Sequence, residues 1–425
     1  MDATALLIVL LMIAICVVGC AEPTGLFKDD LAFLTRHTDA IELVDLVGQG
    51  RIVVVPAYQG RVMTSTCRGL DGRSLGWINP AAIKAGIGTG PINPYGGEER
   101  FWFGPEGGQF SVFFKPGDPF DLDHWKVPAL IDTEPFPLVE LKRDNSDCRQ
   151  DLVPFTVFTR RPNMAVFHKD AKLTNRAGFT FDIGIDRTVK VLESEQIKEL
   201  LKLPARDKVS MVGYKTENSI TNTGQNTWTE KTGLLSIWLL GMFPHSPNTT
   251  VVMPIKPGQE NVLGPRVNVY ESFNKLDDTR LRVETKAVFY KADGQYRSKI
   301  GIDPRRAMPV LGSYDADNNV LTIIRYDQPE TPTTKYVKST WEIQKDPFGG
   351  DVVNSYNDGP PAPGKKPLGP FYELETSSPA AELQPGDHIA HVSYTFHLTG
   401  PKQSLDYVTR QLLGVSLDQI TSALP

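Results

Sequence analysis

Glu373 and Glu375 stand one residue apart in Phe371-Tyr372-Glu373-Leu374-Glu375-Thr376. Side chains alternate along a β-strand, so a strand here places both carboxylates on one face. Such a pair is either a solvated charged surface or a site that moves protons. The second role needs a partner group to deliver a proton elsewhere. Residues 389–398 supply one. Ala390, Val392, Tyr394, Phe396 and Leu398 share one side of that run, and His391, Ser393, Thr395 and His397 share the other. A short region containing the turn signal Pro385-Gly386 separates the two runs. They are predicted to pair antiparallel, with the histidines turned away from the core. Glu373, Glu375 and His391 then converge on one surface, as an acid–base site requires.

Those residues need a scaffold of strands, and the chain reads as one. Short runs rich in β-branched and aromatic residues occur at 52–56, 61–67, 100–103 and 109–114, separated by Gly/Pro turns. The series continues at 155–159, 165–168, 173–174, 179–185 and 188–192. Further runs fall at 211–221, 233–240, 251–254, 281–290, 298–302, 320–325 and 338–343. Helical spacing is confined to 26–35, 195–203 and 402–413. The 36 glycines and 33 prolines among 425 residues exceed the average of roughly 12% and are spread along the chain. Many short strands without helical crossovers predict an all-β, antiparallel sandwich in one domain over residues 46–425. The longest loop, 354–366, is either a flap over a site or a surface excursion. Asp315, Asp317, Asn318 and Asn319 lack the Gly and Glu of a calcium loop, so a turn is expected there. A net charge of −5 leaves no excess of basic residues for a nucleic-acid face.

The first residues read as an address. Residues 3–19 carry no charge, and the apolar run is short for a permanent span, which needs roughly 20 residues. The run ends Val17-Val18-Gly19-Cys20, which resembles a bacterial lipobox, although Asp2 stands where a basic start is usual. The expectation is a signal peptide over 1–19, lipidation of Cys20, and a tether with a short helix over 20–45. The protein would then be held in the cell envelope, outside the cytoplasm. Cys67 and Cys148 remain for the mature domain, where an oxidising compartment permits a disulfide between them. No cysteine or histidine cluster suggests a metal site, and no cofactor is expected.

Around Glu375 the sequence resembles a known family. Leu374-Glu375-Thr376, Ser378-Pro379-Ala380, Leu383, Pro385-Gly386 and the strand through Tyr394-Thr395-Phe396 resemble the last part of galactose mutarotase-like (aldose 1-epimerase-like) proteins. Gly60-Arg61-Val62 resembles an early Gly-Arg motif of the same family. Stretches 97–114, 218–243 and 296–302 look like a bacterial lipoprotein branch of that superfamily, and the resemblance spans about residues 45–400. It implies a β-supersandwich with a carbohydrate cleft on one sheet face and Glu375 as the general base. The family's mid-chain histidine is missing from the corresponding stretch 216–224, so His245, His391 and His397 are the substitutes within reach. Aromatic platforms and planar polar groups suited to a sugar come from Trp102, Trp228 and Trp238, with Arg61, Arg100, Glu106, Asn218, Asn222, Arg297 and Lys299. Three functions stay open: a carbohydrate-binding envelope lipoprotein, an aldose 1-epimerase-like enzyme, and a structural envelope protein.

Overall fold

The computed structural model describes residues 25–138, 162–204, 208–329, 334–362 and 364–425. Its strands run in chain order as β1 (Ile41–Val44), β2 (Arg51–Val55), β3 (Arg61–Thr66), β4 (Arg100–Gly104), β5 (Met164–Thr174) and β6 (Thr180–Val191). Next come β7 (Ser210–Asn222), β8 (Ser236–Pro244), β9 (Thr249–Pro254), β10 (Asn268–Val269), β11 (Leu281–Val283) and β12 (Ala287–Lys291). The last six are β13 (Ser298–Ile302), β14 (Val310–Asp315), β15 (Val320–Tyr326), β16 (Val353–Asn357), β17 (Phe371–Ser377) and β18 (His388–Thr399).

They form a three-stranded sheet β1-β2-β3, a six-stranded sheet β10-β13-β16-β17-β8-β4 and a nine-stranded sheet β11-β12-β9-β14-β15-β18-β7-β6-β5. Neighbouring strands in all three sheets pair antiparallel, as the sequence predicts. The six- and nine-stranded sheets pack face to face. Phe243, Ile300, Val353, Tyr372 and Leu374 of the smaller sheet meet Val251, Val288, Leu311 and Ile324 of the larger. Each fully buried aliphatic side chain of this kind contributes about 1.5–3 kcal/mol. Because strands alternate, the residues between these face the other way: Arg100, Trp102, Trp238, Leu240, Met242, Glu373 and Glu375.

Helices are short. Phe27–His37, Ser194–Leu201 and Lys402–Leu412 match the three expected ones, and Pro80–Ala85, Ala129–Asp132, Glu260–Leu263 and Leu417–Ser422 are additional. The first helix buries Phe27, Phe33 and Leu34 against Val53, Val55 and Met63, so this part of the proposed tether is integrated into the fold. Helices at Ser194–Leu201, Lys402–Leu412 and Leu417–Ser422 cover the outer face of the nine-stranded sheet, burying Phe396 and Leu398. Among the described residues no helix is long and apolar enough to cross a membrane.

Three expectations are corrected here. Strands β17 and β18 do not form a hairpin: β17 pairs with β16 and β8, and β18 pairs with β15 and β7. The intervening chain crosses between sheets, pairing Ala381 with Leu235 on the way. The polar side of β18 also faces inward. His391, Ser393, Thr395 and His397 are buried, while Ala390 is exposed and Val392 and Tyr394 are half-buried. The C-terminal helices claim the apolar side, which leaves the polar side to the seam between the large sheets. Residues 109–114 and 338–343 are irregular and form no strand, and the run 155–159 lies outside the described residues.

Candidate functional site

The outer face of the six-stranded sheet is the floor of a cavity of about 190 Å³. Register puts the floor residues side by side. Trp102 pairs with Trp238 across β4 and β8, Arg100 with Leu240, Met242 with Glu373 across β8 and β17, and Glu373 with Tyr356 across β17 and β16. Lys299 pairs with Tyr356 across β13 and β16. Irregular segments raise the walls: Pro91 and Ile92, Leu122 and Trp125, Phe273, Trp341, and Asp358, Gly359, Pro361, Lys366 and Leu368. The aromatic wall is continuous. Trp125 stacks on Phe113 at 5.9 Å and on Trp341 at 6.2 Å, and Trp102 meets Trp238 edge-on at 5.7 Å.

Two loops owe their positions to glycine. A Cβ on Gly107 would lie 2.2 Å from the Thr340 carbonyl oxygen, so the 104–108 loop rests directly on the segment carrying Trp341. A Cβ on Gly359 would lie 2.5 Å from the Arg297 nitrogen, which ties the start of the 358–368 wall to β13.

Charges are set into this aromatic frame in pairs. Arg100 bridges Glu373 and lies 4.7 Å over the Trp102 ring. Lys299 donates to Glu375 Oε2 at 3.0 Å, sits 4.0 Å from Glu106 Oε2 and lies 4.7 Å over the Trp238 ring. Burial opposes charge on Lys299, yet Glu375 and Glu106 outweigh it and hold the ammonium above its ordinary value. Burial pushes the Glu106 carboxyl up. It pushes Glu373 up to about 7, against the pull of Arg100. Arg297 differs: its Nε donates to the Tyr356 hydroxyl at 3.2 Å and its plane lies 4.6 Å over Phe273. That hydroxyl in turn donates to Asp358 Oδ1 at 2.7 Å, and the Gly369 N–H donates to Asp358 Oδ2 at 2.8 Å. Among the described residues, no group of three His, Cys, Asp or Glu side chains is arranged to hold a metal ion.

A family model described as "Family of unknown function (DUF6786)" matches residues 25–152 and 148–424. The chain belongs to that family. No curated protein matches it by sequence. Among solved structures, it is similar to a candidate mutarotase from Salmonella typhimurium at 12% identity and a TM-score of 0.47, covering 85% of this chain and 90% of that one. A candidate aldose 1-epimerase from Escherichia coli K12 matches at 12% identity and 0.46, covering 84% and 98%. A galactose mutarotase related enzyme from Lactobacillus acidophilus matches at 7% identity and 0.43, covering 85% and 97%.

In this DUF6786 chain, seven of the residues nominated from sequence line the cavity: Arg100, Trp102, Glu106, Trp238, Arg297, Lys299 and Glu373. Glu375 shares their sheet face but lies beneath it, fully buried, accepting from Lys299 and from Trp238 Nε1 at 3.0 Å. Its place is under the floor, where it fixes two floor side chains.

The remaining nominations lie elsewhere. His391 donates to or accepts from Thr376 Oγ1 at 2.9 Å, and Thr376 points to the opposite side of β17 from both glutamates. The predicted convergence of His391 with Glu373 and Glu375 is therefore corrected: sheet β17 stands between them. Asn218 accepts from Arg187 within the seam. Asn222 donates to the Asn226 and Leu383 carbonyls and secures a turn. Arg61 is buried against the Gly96 carbonyl at 2.9 Å, and burial brings its guanidinium down to about 9. Trp228 is buried in the main core, edge-on to Phe181. His245 packs over Gly294, where a Cβ would lie 2.2 Å from its ring. Cys20 and Cys148 lie outside the described residues, and with them the lipid anchor and the disulfide; Cys67 is buried with Sγ 3.9 Å from Thr399 Oγ1.

Sequence reasoning missed Trp125, Phe273, Trp341, Tyr356 and Asp358. All but Phe273 lie in or beside a Gly/Pro-rich loop, and that setting was the available signal; nothing local marks Phe273.

Proposed function

We propose that the cavity binds the ring of a carbohydrate. One observation carries the reading: buried charges and tryptophan planes interleave on one sheet face, and the walls hold indole N–H groups that await a partner. Among the described residues, Trp102 Nε1 and Trp125 Nε1 are buried without one. A sugar presents an apolar face that suits an aromatic plane and hydroxyls that satisfy such donors and the carboxylates beside them. The volume, about 190 Å³, is below the roughly 300–1,000 Å³ of pockets for drug-sized ligands and suits a small ring.

A second reading is ring opening at the anomeric centre. It is favoured by Glu373, which lines the cavity with its carboxyl raised to about 7, the range in which a group both takes and returns protons at neutral pH. On that reading Glu373 makes the proton contact and Glu375 holds Lys299. We also propose that a lipid on Cys20 holds the protein in the cell envelope; mass spectrometry of native protein should show a modified Cys20 as the first residue.

Titrating the full chain with neutral and acidic monosaccharides while following tryptophan emission tests the binding reading. A saturable change for at least one sugar, lost in Trp102→Ala, is expected. No response to any sugar would overturn it.

A further inference from the structure

Within the carbohydrate reading, the charges of the cavity specify more than a neutral ring. Arg100 is matched by Glu373, and Lys299 by Glu375 with Glu106 behind it. Arg297 has no such match. Among the described residues it forms no ion pair, and both oxygens of the nearby Asp358 are engaged by Tyr356 and the Gly369 N–H. Its Nε is committed to the Tyr356 hydroxyl, which leaves the NH1 and NH2 edge of the guanidinium without a hydrogen-bond partner. The group is half-buried and lines an aromatic-walled cavity. Such a site strengthens any interaction it makes and penalises a charge left alone. Lys366, on the wall opposite the floor, adds a second cation without an ion pair among the described residues.

We propose that the ligand is an acidic sugar whose carboxylate docks on Arg297, a uronate in chemical class. Two parallel N–H groups fit the two oxygens of a planar carboxylate. A single negative charge also fits the local balance better than a phosphate dianion. Glu106, Glu373 and Asp358 all surround the cavity, and a doubly charged group would meet their repulsion. Arg297 sits at the end of the floor beyond Lys299, so the carboxylate lies at one edge of the ring while Trp102 and Trp238 lie under its body.

Calorimetric titration of the full chain with glucuronate, galacturonate, glucose, galactose and the two hexose 6-phosphates tests this. A uronate should bind about tenfold more tightly than its neutral hexose, as one charge-assisted contact gives. Arg297→Gln should reduce that preference to about twofold, read as the ratio of uronate to hexose affinity within the variant. Lys366→Gln, on an exposed loop, should weaken the preference less, and 150 mM salt should weaken it further. Equal affinity for uronate and hexose in the wild type overturns the proposal while leaving the carbohydrate reading intact, and so does tighter binding of the 6-phosphates. An undiminished preference in a folded Arg297→Gln chain also overturns it. Failure of every sugar to bind overturns both readings.

Discussion

The two faces of the six-stranded sheet carry similar chemistry and are built for opposite ends. On the outer face lie Arg100, Lys299, Glu106 and Glu373 with their tryptophans. On the inner face, in the seam against the nine-stranded sheet, lie Glu98, Glu99, Arg187, His391 and His397. Most of the seam pairs within itself, although Glu98 Oε1 and His391 Nδ1 have no partner among the described residues. His397 meets Glu98 at 3.1 Å and Thr322 at 2.9 Å, and Arg187 reaches Glu99, Asn218 and the Gly60 carbonyl. Only about 10 Å³ of space adjoins it, roughly one water. The outer face has comparable pairs but adds space, unpartnered indoles and an unmatched guanidinium. Buried charge alone therefore does not mark a site. What separates the faces is space beside such groups: about 190 Å³ on the outer face against about 10 Å³ in the seam.

The seam should be the costlier place to cut. Arg187→Met leaves Glu99 buried with its charge unmatched, so a loss of about 3–5 kcal/mol in urea unfolding is expected. Sugar affinity of the folded fraction should stay within about twofold, because Arg187 lies on the far side of the sheet from the cavity. A loss of affinity without loss of stability would erase the distinction between the faces.

Glu375→Gln sharpens the comparison, since Glu375 belongs to the outer face yet is as enclosed as the seam. The amide keeps an acceptor for Trp238 but removes the charge that holds Lys299, leaving Glu106 at 4.0 Å as its carboxylate. A stability loss of about 2–3 kcal/mol is expected, with a roughly tenfold drop in ligand affinity as the Lys299 and Trp238 positions relax. If affinity fell with no change in stability, Glu375 would be touching the ligand directly.

A smaller effect should appear with pH. The Glu373 carboxyl holds its proton more tightly in the folded chain, at about 7 against an ordinary 4.5. Protons thus bind the native state preferentially between those values, and stability should fall as pH rises from about 4.5 through 7. One such group gives a slope of at most about 1.4 kcal/mol per pH unit. Asp30 and Asp351, each raised to about 6 by burial, act in the same direction. Urea midpoints of wild type and Glu373→Gln measured from pH 5 to 8 should differ in slope, with the variant flatter. Parallel curves would show that Glu373 titrates like a solvated carboxylate.

The layers of the fold were legible because they rest on local pattern. Alternation in Phe371–Ser377 placed both glutamates on one face. Pairing was not legible, because which strand lies beside β17 depends on chain returning from far away in sequence. Adjacency along the chain suggested β18; the neighbours are β16 and β8. The sidedness of β18 failed for a related reason. An apolar face was taken as the interior, but it is covered by helices from the end of the chain, and the histidine face lies deeper. Half of the cavity was legible from the floor strands. The walls were not: Trp125 and Trp341 come from irregular segments, one of which reads as a strand, and nothing local announces that they stack. The 354–366 segment, open between flap and excursion, contributes Asp358, Gly359 and Pro361 to the wall.

The smallest effect should come from His391, the residue that separates the sequence expectation from the structure most cleanly. It is fully buried with one hydrogen bond to Thr376, and burial alone lowers its imidazole to about 3, so it is neutral near pH 7. His391→Gln keeps a donor and an acceptor near Thr376 and removes little volume. A stability loss of about 1 kcal/mol is expected, the worth of one buried hydrogen bond. Ligand affinity, any anomerisation rate and their pH profiles should match the wild type, because the backbone of β17 separates this ring from the cavity. Nuclear magnetic resonance exchange measurements on a bound reducing sugar would decide the catalytic part. If anomerisation were present in the wild type and absent in His391→Gln, the acid would have to act through the sheet, and the assignment of the outer face as the working side would fail.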